Sequence, residues 1–66
     1  MLIKINGQEK RIESGLDLQT LLQIEGFADK KIATALNGTF VPRAAYDVTL
    51  LKDGDALEIV APMQGG

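Results

Sequence analysis

The chain has 66 residues, 45% of them hydrophobic and 24% charged, a globular composition with room for one small domain. It contains no cysteine and no histidine, which removes disulfides, thiolate metal sites and imidazole base catalysis. Nine acidic residues against seven basic ones give a formal charge of -2, the wrong balance for a phosphate-backbone binder. Ser14, the threonines, Tyr46 and the lysines remain as nucleophiles, with no imidazole to activate them. A domain that buries only about 60% of its unfolded surface has little core from which to carve a cleft. The expectation is a protein acted on by others rather than an enzyme. No apolar run approaches the roughly 18 residues of a membrane span, and no charged-then-apolar leader precedes the first strand pattern. A cytoplasmic protein with neither nucleic-acid nor membrane partners is expected.

Met1-Leu-Ile-Lys-Ile5 alternates, with Ile3 and Ile5 on one face and Leu2 and Lys4 on the other. Asn6-Gly7 follows, the pair that best tolerates the positive φ angles of a type I′ turn. Gln8 to Ile12 then returns as a polar edge strand whose charges oppose edge-to-edge pairing. Asp17 is placed to cap a short helix, in which Leu18, Leu21, Leu22 and Glu25 share one face and Gly26 stops the run. That leucine stripe reads as core packing rather than as a partner-binding face.

Phe27 to Lys31 has no clear period, and Lys30-Lys31 reads as a solvated loop rather than an anion site. Ile32 to Leu36 and Thr39 to Val41 form a second hairpin around Asn37-Gly38, closed by Pro42, which cannot donate to a ladder. Arg43 to Tyr46 is a turn or single helical turn, in which Arg43 either caps the chain after Pro42 or pairs with a partner; the capping role is preferred. Val48 to Leu51 is too short to classify. Asp53-Gly54-Asp55 lacks the further oxygen ligands of a calcium loop and reads as a tight turn with exposed acids. Ala56 to Val60 is the last strand, with Leu57 and Ile59 opposite to Glu58 and Val60. The expected core is Ile3, Ile5, Ile12, the three helix leucines, Leu36, Leu50, Leu57 and Ile59. The expected fold is α+β, with one helix across a face of a mixed sheet over residues 1–61. Residues 62–66 should form an extended tail.

Three pieces carry a resemblance: Ala35-Leu-Asn-Gly-Thr-Phe-Val-Pro-Arg43, Leu51-Lys-Asp-Gly-Asp55 with Leu57-Glu-Ile-Val60, and Gly65-Gly66. In this order they resemble the ThiS family, the sulfur carriers of thiamin synthesis, which share the β-grasp fold of ubiquitin. The resemblance implies a sheet of four to five strands with one main helix. It also implies that an E1-like, ThiF-type adenylyltransferase transfers AMP from Mg-ATP to the carboxylate of Gly66. A sulfur donor, such as a persulfide-bearing sulfurtransferase, then converts it to a thiocarboxylate that a ThiG-type thiazole synthase consumes. ATP and magnesium belong to the activating enzyme, and this chain is expected to bind no cofactor or metal.

Pro62, Met63, Gln64 and Gly65 are the residues expected to thread into the enzyme. Gly65 and Gly66 can adopt conformations barred to residues with a Cβ atom, and Pro62 limits the freedom lost on insertion. The family tail often carries a β-branched residue where Pro62-Met63 stands. The β-grasp precedent places docking on the sheet face away from the helix, where parity puts Leu2, Ala35 and Val60, with Met63 beyond. Three alternatives stay open: a molybdopterin-synthase type of carrier, a ubiquitin-like modifier, and a binding module with an inert tail.

Overall fold

The computed structural model describes residues 1–61. Strand β1 (Leu2–Ile5) and β2 (Gln8–Arg11) form the first hairpin, β3 (Ala33–Leu36) and β4 (Thr39–Val41) the second. Helix α1 (Leu18–Ile24) lies between the hairpins in sequence, and a 3₁₀ helix (Arg43–Val48) leads towards β5 (Ala56–Val60). The sheet order is β2-β1-β5-β3-β4, so the last strand is the central one, parallel to β1 and antiparallel to β3. This is the five-stranded mixed sheet of a β-grasp fold, with one α-helix. The predicted tail, with Pro62, Met63, Gln64, Gly65 and Gly66, lies outside the described residues.

Both hairpins turn as the sequence requires: φ is 51° at Asn6 and Asn37 and 84° at Gly7 and Gly38. The asparagine side chains then do a second job. The amide of Asn6 accepts from Ile59 N–H at 2.8 Å and donates to the Ile59 carbonyl at 3.2 Å. It stands in for a peptide group that the turn has removed from the β1–β5 ladder. At the other end of β5, Asn37 Oδ1 accepts from Ala56 N–H at 2.9 Å, while its own backbone N–H donates to the Ala56 carbonyl at 2.8 Å.

Helix α1 begins at Asp17, whose carboxylate accepts from Thr20 N–H and from the Thr20 hydroxyl. It ends in a Schellman motif: Gly26 N–H reaches the Gln23 carbonyl and Phe27 N–H the Leu22 carbonyl. Capping at both ends compensates for a helix too short to be stable alone. Leu18, Leu21 and Leu22 are buried against Ile3, Leu57 and Ile59.

The core differs from the sequence reading at several places. Leu50 is 62% exposed and Leu51 is buried instead. The segment 49–51 runs beside the helix entry, with Leu18 N–H bonded to the Thr49 carbonyl and Leu51 N–H to the Leu16 carbonyl, and this pairing turns Leu51 inwards. Val41 and Tyr46 complete the buried set, whereas Ile5, Ile12 and Leu36 are only partly buried. Asp55 is not an exposed acid but is buried, accepting from Lys52 N–H at 2.8 Å and from the Asn37 amide at 2.9 Å. Asp53 caps the Leu2 N–H at 2.7 Å. The turn is held by its acids rather than merely decorated with them.

Replacing Asn6 with Ala should destabilise the fold by about 2 kcal/mol, from two lost hydrogen bonds and a side chain forced into left-handed backbone. Asn6→Gly keeps the backbone relaxed and should cost about half as much. Urea unfolding of the two variants checks this, and equal losses would show that backbone strain is irrelevant. The Thr20 hydroxyl chiefly, with backbone amides, holds the Asp17 carboxyl below its ordinary 3.8 despite partial desolvation. A lowered folded value stabilises above pH 3.8, and that contribution is lost as pH falls through the folded value. The stability gap between the wild type and Asp17→Ala should therefore narrow in unfolding curves taken from pH 7 down to pH 2.

Candidate functional site

The sheet has a second face, turned away from α1. Alternation along β5 buries Leu57 and Ile59 and turns Glu58 and Val60 outwards. Val60 is 63% exposed and pairs with Ala33, and Glu58 pairs with Ala35. On the other side of Ala35 stands Phe40, 65% exposed. Ala35, Val60 and Phe40 thus share one end of this face, with Ala33 between β5 and β4.

Leu2 does not join them. It is half-buried on the same face, but the parallel register sets Lys4 beside Ala56, so Leu2 lies about six residue steps, ~20 Å, from Val60. It belongs to the Asp53-Gly54-Asp55 end of the molecule. Phe40 was not among the expected docking residues. Its signal was present: the two-residue Asn37-Gly38 turn sets Leu36 opposite Thr39, and therefore Ala35 opposite Phe40. Met63 and the rest of the tail lie outside the described residues, beyond Ala61 at the exit of β5.

Among the described residues Arg43 makes neither a capping hydrogen bond nor an ion pair, the Lys10–Glu25 contact being the one salt bridge there, so the preferred capping role is not seen. The described residues hold no cluster of three or more metal-ligating side chains, and none of their helices is long and apolar enough to cross a membrane. Three of their acids are committed to structure, Asp17 to the helix cap and Asp53 and Asp55 to the turn. What the fold presents beside the exit of its central strand is a sheet face where Phe40, Ala35, Ala33 and Val60 surround the outward Glu58.

Known proteins share this arrangement over the whole chain. The chain is 33% identical to a thiamine biosynthesis protein (ThiS) from Geobacter metallireducens and covers all of that crystal structure, with a TM-score of 0.87. The solution structure of a thiamine biosynthesis protein from the same organism gives a TM-score of 0.83, with 88% of its chain covered. Two thiazole synthases, from Paramagnetospirillum magneticum and Magnetococcus marinus, are each 36% identical over all 66 residues. The chain spans 20% of the length of these two relatives. The model of the ThiS family matches residues 3–66, and the chain belongs to that family.

Proposed function

We propose that this chain is a sulfur carrier in thiamin biosynthesis and that Gly66 carries the sulfur. The observation that bears most weight is the family match, which runs through the Gly65-Gly66 pair. The absence of histidine and cysteine fits it, because the chain has no thiol to carry sulfur and no imidazole to activate its hydroxyls or amines. In this reading the Gly66 carboxylate attacks the α-phosphorus of Mg-ATP held by an E1-like enzyme, and pyrophosphate leaves. A sulfur nucleophile then attacks the acyl carbon and AMP leaves; where the donor is a persulfide, a thiol cleaves the remaining S–S bond to free the thiocarboxylate. The product donates sulfur to a thiazole synthase, a partner suggested by the two relatives of that name. ATP, magnesium and the catalytic groups are the partners' own, and this chain supplies a carboxylate and a recognition surface.

The globular part serves recognition. Val60, Ala35 and Phe40 form the apolar face that both enzymes contact. Pro62, Met63, Gln64 and Gly65 lead the reactive glycine into a site on the other protein. A rigid domain on a narrow tail lets one carboxylate visit two active sites in turn.

Deleting Gly66, or adding one alanine after it, should abolish sulfur loading with no change in melting temperature. Intact-protein mass spectrometry after incubation with the activating enzyme, ATP and a sulfur donor reads the result. The wild type should gain the mass difference between one sulfur and one oxygen, with fragment ions placing it on Gly66. Modification of a lysine instead would end the carrier reading. Val60→Asp should leave the fold intact, since Val60 is exposed. It should weaken binding to the activating enzyme by about 2 kcal/mol or more, because a charge is desolvated against an apolar contact. Calorimetry with the purified enzyme measures it, and unchanged affinity would remove the face from the interface.

A further inference from the structure

A second recessed surface lies on the helix side of the sheet. Between α1, the loop 27–32 and the 3₁₀ helix runs a cleft of about 180 Å³. Leu22 and Ile32 give it an apolar floor, and Lys30 and Arg43 stand at its rim. No carboxylate lines it, although the chain as a whole is acidic. Neither cation is in an ion pair with a described residue.

Tyr46 marks the inner end. It is only 7% exposed, and its hydroxyl makes no hydrogen bond to a described residue. No buried polar side-chain atom among the described residues lacks a partner. The hydroxyl is therefore not sealed off in the core, and Tyr46 is among the residues that line the cleft. A phenol and two cations around an apolar floor make a donor-rich site for an oxyanion attached to an apolar group. The volume is too small for a nucleotide and matches one or two side chains.

We propose that this cleft receives a carboxylate side chain, flanked by an apolar residue, from a partner protein. Charge complementarity carries the choice: the lining holds two cations and no carboxylate, with Gln19, Gln23 and Tyr46 as its neutral polar side chains. Position supports it. Ile32 precedes Ala33, the strand partner of Val60, so the cleft opens at the end of the sheet where β5 leaves. The proposal does not depend on the carrier chemistry, and its test uses no enzyme.

The test is a titration of the isotopically labelled chain, followed by amide NMR shifts, with the doubly capped dipeptide acetyl-Leu-Asp-amide. Acetyl-Leu-Asn-amide serves as the uncharged control, and inorganic phosphate as a free oxyanion. The expected result is saturable shifts at Lys30, Arg43 and Tyr46 with the aspartyl peptide, and affinity lower by about tenfold for the asparaginyl one. Arg43→Gln and Tyr46→Phe should each weaken the aspartyl peptide several-fold while leaving the remaining spectrum native. Equal binding of both peptides, no saturable shift, or unchanged affinity in both variants would overturn the proposal. Phosphate binding as tightly as the aspartyl peptide would also overturn it, in favour of a site for free anions.

Discussion

The fold depends on how its central strand is held. In most hairpin-rich domains a strand's backbone groups are satisfied by neighbouring strands alone. Here β5 outlasts its parallel neighbour: β1 pairs with it at Lys4 and Ile5 and then turns away at Asn6. The Asn6 side chain completes the ladder at Ile59, and the Asn37 side chain completes the other edge at Ala56. A buried, unpaired peptide group costs about 1–3 kcal/mol, a large part of what a domain this small can spare. Two asparagines therefore serve as turn formers and as strand fillers, and both roles demand the same residue. Glycine would satisfy the turn and leave β5 unpaired, whereas most other side chains would do neither.

With β5 fixed, the two faces of the sheet divide the labour. One receives α1 and the leucines that make up most of the core. The helix spans only seven residues, so its covering power comes from capping and three leucines rather than from length. The other face is left to solvent with Phe40 and Val60 upon it. Among the described residues Ile24, Val48 and Leu50 are the other large hydrophobics left exposed, and none of them lies on this face.

Most of this was legible in the amino-acid sequence because local rules agree with the global fold. The two Asn-Gly pairs, the Asp17 cap, the Gly26 stop and the alternation of β5 each have short-range causes, and each is found where those causes act. The failures share a different cause. Leu50 and Leu51 cannot be told apart by period in a four-residue stretch; a bridge from Leu50 to Asp17, more than thirty positions away, decides which one faces inwards. Asp55 looked exposed because acids in tight turns usually are, and the distant Asn37 amide joins the local Lys52 N–H in making its burial tolerable. Leu2 shares a face with Val60 by parity, but parity says nothing of distance along a strand, which the β1–β5 register fixes. Family resemblance supplied what the residues alone did not, the family to which the fold belongs.

The central position of β5 has a mechanical consequence. A pull applied at Ala61 runs along the axis of a strand whose hydrogen bonds to β1 and β3 lie across that axis. Such a load shears two ladders at once, whereas the same pull on an edge strand would be resisted by one. The domain is thus built to be towed by its last strand without coming apart.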